Sequence, residues 1–174
     1  NHPFLVLKRN GRGKKNNFIW KTLQDLKLGD EVVTLKRVKD ERPYEFAFQK
    51  AEKGDYKVNK INPVNIPDSS SPDMMKYLGL YVGDGWTREE KAEVGFALPQ
   101  GTLERNEFLD LHNRLFGCKI TQDNMYVYAR SVNLARFISS LGFRKGAKNK
   151  IIPDWVFTLP EEQRLSFIEG LMLS

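Results

Sequence analysis

Cysteine is almost missing from this sequence: Cys118 is the single one in 174 residues. Within the chain that excludes a disulfide and any zinc cluster built on cysteines. A lone thiol after Gly117, at an expected strand start, reads as packing filler and not as a nucleophile. Long apolar runs are missing as well. No stretch of about 18 apolar residues occurs, so no segment reads as a membrane-spanning helix and no membrane partner is expected. Neither a secretory leader nor an initiator methionine is present, and the sequence opens at Asn1-His2-Pro3 as if cut from a longer protein. The expected location is cytoplasmic, or wherever a host protein resides.

What the sequence does contain is 40% apolar and 11% aromatic residues, enough for one ordinary core and a small satellite. The net charge of +6 and a pI near 9.4 favour a polyanionic partner. That charge is uneven. Residues 1–60 carry 15 Lys and Arg against 8 Asp and Glu, whereas residues 61–174 carry 13 against 14. Between residues 36 and 60, Lys36, Arg37, Lys39, Arg42, Lys50, Lys53, Lys57 and Lys60 alternate with Tyr44, Phe46, Phe48 and Tyr56. Such interleaving suits phosphate contact, and it equally suits a solvated strand.

The stretch with the strongest internal logic is Tyr77-Leu78-Gly79-Leu80-Tyr81-Val82-Gly83-Asp84-Gly85. Ser71 is a suitable N-cap and Pro72 a suitable first residue, so a helix is expected over 72–84. Glycine inside a helix costs about 1 kcal/mol against alanine, and Gly79 and Gly83 fall on one face. That spacing lets another backbone come close. Asp84 then lies at the negative end of the helix dipole, where cations are preferred. Two readings are open: a divalent cation that removes the conflict, or an Asp-Gly turn that merely ends the helix. The register returns 91 residues later in Ile168-Glu169-Gly170-Leu171-Met172-Leu173-Ser174, where Gly170 matches Gly79 and Ser174 matches Gly83.

These paired stretches resemble the motif helices of the LAGLIDADG homing endonucleases. Between them the pattern alternates helix and strand. Glu93–Leu98 reads as a strand, Leu103–Phe116 as a helix closed by Gly117, Lys119–Tyr128 as a hairpin turning at Asp123-Asn124, and Val132–Leu141 as a helix stopped by Gly142. Near the start, His2-Pro3-Phe4-Leu5-Val6, Trp20 and Asp25-Leu26-Lys27-Leu28-Gly29-Asp30-Glu31-Val32 look like the inner part of the Hint fold of inteins. The fold class implied is α+β: a LAGLIDADG half, αββαββα with a curved antiparallel sheet, preceded by an all-β Hint-type piece. Residues 1–66 would be the incomplete splicing segment with its basic linker, and 67–174 the first endonuclease repeat plus the start of the second motif helix.

The resemblance implies a fragment of an intein-encoded homing endonuclease. The parent would hydrolyse phosphodiesters of double-stranded DNA at a long site and splice itself from a host protein; the alternative is a cleavage-inactive DNA- or RNA-binding module. A third reading is a basic α+β domain whose repeat is structural only. Gly79, Gly83, Gly170 and Ser174 would pack the motif helices. Asp84 would hold Mg²⁺ beside the scissile phosphate. Lys150, in Lys150-Ile151-Ile152-Pro153, resembles a block whose lysine lies near the cleavage centre; a phosphate anchor is the neutral reading for it and for Lys148. His2 would assist the first acyl shift of splicing. Gln122, Asn124, Tyr126, Tyr128 and Arg130 on one face of the hairpin, with Arg144, Lys145 and Lys148, would touch DNA; a polar solvent face is the plain reading of the hairpin. Partners would be double-stranded DNA, flanking intein segments and the host-protein exteins. Because the amino-terminal nucleophile, the closing His-Asn and a second acid are absent, the fragment alone is expected to be inactive.

Overall fold

The computed structural model describes residues 3–34, 41–52 and 61–174. His2 and much of the basic stretch (residues 35–40 and 53–60) lie outside the described residues. The chain is α+β and forms two compact units, Asn1–Val38 and Lys39–Ser174. The sequence-based boundary at 66/67 is therefore corrected. Residues 41–52 and 61–71 belong to the second unit because their side chains and amides are committed to it. Phe46 and Phe48 meet Phe137 edge to face at 5.2 and 5.5 Å, and the Ala51 amide donates to Asn133 Oδ1 at 2.7 Å. Tyr44 stacks on Trp155 at 4.5 Å, and the Asn65 amide donates to the Phe116 carbonyl.

The first unit is a three-stranded antiparallel sheet in the order β2-β1-β3, with β1 Pro3–Lys8, β2 Asn17–Thr22 and β3 Glu31–Val32. Val6 pairs with both Ile19 and Val32 and is its one deeply buried apolar side chain among the described residues. Ion pairs Arg9–Glu31 and Lys21–Asp30, at 2.6 and 2.8 Å, tie its edges.

The second unit carries α1 Pro72–Asp84, β4 Gly85–Arg88, β5 Glu93–Phe96, α2 Leu103–Phe116, β6 Ile120–Gln122, β7 Val127–Arg130, α3 Val132–Ser140 and α4 Glu161–Met172. Local chemistry sets several of these ends. Ser71, Thr102 and Ser131 accept from the third amide of α1, α2 and α3, and Gly117 (φ 59°) closes α2 in the left-handed region. The strands form an antiparallel sheet ordered β4-β5-β7-β6. Val94, Phe96, Val127 and Ala129 point into one core with Tyr77 and Leu78 of α1, Phe108 of α2, and Leu134 and Phe137 of α3. Among the described residues, helices thus cover one face of the sheet and leave the other open. No helix among the described residues is long and apolar enough to cross a membrane.

Candidate nucleic-acid interface

Two features of the second unit carry chemistry: the tip of the α1–α4 helix pair and the uncovered face of the sheet.

α1 and α4 touch backbone to backbone. A methyl added at Gly79 would lie 2.1 Å from the Phe167 carbonyl oxygen, and one at Gly170 would lie 2.0 Å from that of Lys76. Gly83 faces Ser174, whose hydroxyl donates to the Leu171 carbonyl. A buried exchange fastens the other end of the pair: Ser70 Oγ donates to Gln163 Oε1 at 2.6 Å, and Gln163 Nε2 returns to the Ser70 carbonyl. Lys76 on α1 bridges Glu107 of α2 and Glu169 of α4 at 2.9 and 2.8 Å.

At the C-terminus of α1 the chain supplies its own cation. Lys150 Nζ donates to the carbonyls of Tyr81, Val82 and Gly85 at 2.6, 2.8 and 2.7 Å. An ammonium group has three protons, and this one is spent on carbonyls at and just past the helix end, the Tyr81 carbonyl also accepting the Gly85 amide. Burial pushes the Lys150 pKa down, and nearby Asp84 opposes that shift. Asp84 is half-buried on the same end. Burial raises its pKa, and Lys150 pulls it back. The helix terminus thus has its counter-charge in Lys150, while Asp84 remains an anion held where neither burial nor the dipole favours it.

Mg²⁺ can be tested against this donor set. Among the described residues no group of three His, Cys, Asp or Glu comes together. Asp84 offers one carboxylate. That is too little for a protein cage, and it fits the common arrangement in which one carboxylate, waters and a phosphate share the ion.

On the open face of the sheet the strand register decides which residues stand together. Trp86 opposes Gly95, Gly95 opposes Tyr128, and Tyr128 opposes Thr121. Arg88, Glu93 and Arg130 form the next row. The indole of Trp86 lies across the bare backbone of Gly95, where a methyl would be 2.3 Å from the ring. Tyr126 meets Trp86 edge to face at 5.6 Å. Arg88 stands over Trp86 and Arg130 over Tyr128, at 5.7 and 5.2 Å from the ring centres. Glu93 serves both guanidinium groups, at 3.4 and 3.6 Å. One carboxylate between two arginines leaves the row positive.

The predicted hairpin face needs correction at Gln122. It pairs with Val127 and therefore shares the core-side row; its Oε1 accepts from Arg105 at 3.3 and 3.1 Å. Thr121 takes its place on the open face. The turn from Asp123 to Tyr126, braced by Asp123 Oδ1 accepting the amides of Met125 and Tyr126, changes the alternation between the two strands. Asn124 lies in that turn, exposed, and its carbonyl accepts from Gln100. Of the basic loop, Lys145 pairs with Glu89 at 2.6 Å, while Arg144 and Lys148 are exposed. Sequence reasoning gave Trp86 and Arg88 no role; the two-residue alternation Trp86, Arg88 was the available signal.

No family model matches the chain. Among curated relatives, an iron-sulfur cluster assembly SufBD family protein of Mycobacterium leprae is 28% identical over 99% of this chain and 20% of its own length. A DNA polymerase of Thermococcus kodakarensis is 31% identical over 66% of the chain and 7% of its own length. A replication factor C small subunit of Methanocaldococcus jannaschii is 24% identical over 86% and 7%. The chain spans at most a fifth of these relatives. These findings correct the family resemblance: none of the three names is that of an intein or an endonuclease, and the relative matched along nearly the whole chain is named for iron-sulfur cluster assembly. The reading as a self-splicing, DNA-cutting fragment is not carried forward. An iron-sulfur ligand set does not fit the described residues either. Cys118 is the single thiol, its pKa pushed up by burial, and its Sγ lies 3.2 Å from His112 Nε2.

Proposed function

We propose that the Lys39–Ser174 unit is a nucleic-acid-binding module that lays the open face of its sheet on duplex DNA. The observation carrying this reading is the grouping of Trp86, Tyr126, Tyr128, Arg88 and Arg130 on the one sheet face that no helix among the described residues covers. A two-stranded ribbon fits the major groove, arginine pairs with guanine edges, and aromatic rings pack on sugars and thymine methyls. Arg144 and Lys148 add charge for phosphate contact. At the helix-pair tip, Asp84 would give one carboxylate to Mg²⁺, which would supply positive charge against a nearby phosphate. Two of the relatives, by name, are a DNA polymerase and a replication factor subunit. The three names differ, so the module's own surface is the better guide to what it does.

Fluorescence anisotropy with a labelled duplex tests the reading. Binding with a Kd of about 1 to 100 µM, weakening steeply with salt, is expected for nonspecific contact. Replacing Trp86 and Arg88 by alanine should weaken it about tenfold or more, equivalent to about 1.4 kcal/mol. Absence of binding at low salt, or the same affinity in the double variant, would overturn the assignment. Stronger binding to a single strand of equal length would move the ligand class from duplex to single-stranded nucleic acid.

A further inference from the structure

Away from the helix-pair tip, a cleft of about 420 Å³ opens where β6 begins and β7 ends, with Asn62, Cys118, Lys119, Thr121 and Arg130 among its walls. The register Ile120↔Ala129, extended by one residue, sets Lys119 opposite Arg130. Like charges directly across an antiparallel pair are destabilising. Among the described residues nothing removes the conflict. Lys119 has no ion-pair partner among the described residues, and Arg130 reaches only Glu93, at 3.6 Å, which Arg88 shares. Asn62 Nδ2 donates to the Arg130 carbonyl at 2.6 Å, holding the 61–65 loop against β7 as the side of the cleft. The Thr121 side chain is exposed beside it.

Two cations that line one cleft and fall opposite each other in the extended strand register, with an exposed hydroxyl at hand, make a site for a tetrahedral dianion. We propose that Lys119 and Arg130 bind a phosphate group in this cleft, and that it is a backbone phosphate of nucleic acid lying on the sheet face. The second clause rests on the function proposed above. An anion between the two side chains turns a repulsive pair into two charge-assisted hydrogen bonds. Because Arg130 also stands on the open face, the cleft would hold one end of the ligand while the aromatic row holds the middle.

Cys118 supplies the probe, since it is the chain's single cysteine and lines the cleft. The experiment follows its alkylation by N-ethylmaleimide with and without inorganic pyrophosphate, at matched ionic strength. Pyrophosphate should slow the reaction several-fold and saturably, and Lys119→Gln should abolish the protection. Without ligand, Lys119→Gln should melt no lower than the parent, which separates lost binding from lost fold. For duplex binding, the same variant should reduce the slope of log K against log salt by about 0.9, the value for one phosphate contact. No protection, or equal protection in Lys119→Gln, overturns the site. Protection together with an unchanged salt slope overturns the nucleic-acid clause and leaves a site for free phosphate. Duplex binding that persists without protection sinks the cleft and spares the sheet face; protection without any duplex binding sinks the sheet face and spares the cleft.

Discussion

Replacing Gly79 by alanine opposes two effects of known size. In an open helix the change would stabilise by about 1 kcal/mol, because glycine is the poorer helix former. Here the new methyl would lie 2.1 Å from the Phe167 carbonyl oxygen and 2.7 Å from the Leu171 amide, against 3.4 Å for ordinary contact. The axes of α1 and α4 must therefore part by about 1.3 Å, since only backbone is in the way and no side chain can swing aside. A gap of 0.5–1 Å already forfeits about a quarter to a half of each dispersion well along the seam. Overpacking of this kind costs about 1–3 kcal/mol, and backbone contact puts it at the upper end. The net expectation is a loss of about 1–2 kcal/mol, or about 2–8 °C in Tm for a chain of this length. Gly170→Ala, with its methyl 2.0 Å from the Lys76 carbonyl, should behave alike. The double variant should cost less than the sum, because one separation accommodates both methyls. Gly83→Ala should cost stability too, because its methyl would lie 2.1 Å from Ser174 Cβ, which no rotamer change moves; its cost should be the smaller, since the obstacle is not itself backbone. Urea unfolding of the four variants reads all of this. A Gly79→Ala protein as stable as its parent would refute the claim that the backbones meet.

Asp84→Asn should stabilise the fold at neutral pH by about 0.3–1 kcal/mol, since it removes an anion from the negative end of α1. Its raised pKa means that stability falls as pH rises through the folded value, so the gain should vanish in acid; equal gains at both pH values would argue against the dipole account. Lys150→Met should cost about 2–4 kcal/mol by taking the ammonium from the carbonyls of Val82 and Gly85 and leaving that of Tyr81 with the Gly85 amide alone, and a shift in Tm within error would show that the cap is dispensable. His112 is buried against Tyr77 and Cys118, and burial lowers its pKa from 6.5 to about 4. The folded state prefers the neutral ring, so this stability is whole above pH 6.5 and is lost as pH falls from 6.5 to 4. The loss amounts to about 3 kcal/mol. His112→Gln should flatten that limb of the stability–pH curve, measured by chemical denaturation.

Some helix ends of the second unit were legible because they carry caps. Ser71 with Pro72 marks the start of α1, and Gly117 the end of α2, at the residues observed. The hairpin was legible as two strands and a turn, yet its face was misjudged at Gln122. Periodicity runs along one strand, whereas the pairing across the turn depends on how the Asp123–Tyr126 loop is hydrogen-bonded. The role of Lys150 as the cap of a helix 65 residues earlier left no local mark, because that contact is created by the path of the chain between α3 and α4. The domain boundary failed for a related reason: proline and serine at 62–72 signal a loop, and a loop's composition does not reveal that Phe46 and Phe48 have already joined the core through Phe137.

Two local conflicts survive in a fold otherwise consistent from capping to core. Asp84 is an anion at the negative end of α1, and Lys119 faces Arg130 across a strand pair. Chains tend to keep such contradictions where function requires them, and to relieve them elsewhere. The first is eased by Lys150 without being removed, since burial still raises the Asp84 pKa. The second has half of one carboxylate for relief, because Glu93 is shared with Arg88. On the proposed reading a phosphate polymer accompanied by a divalent cation would relieve both: the cation would supply positive charge beside Asp84, while a phosphate would separate Lys119 from Arg130. Neither a neutral ligand nor an acidic partner without metal does this. That double requirement favours nucleic acid over a protein surface as the ligand of the open sheet.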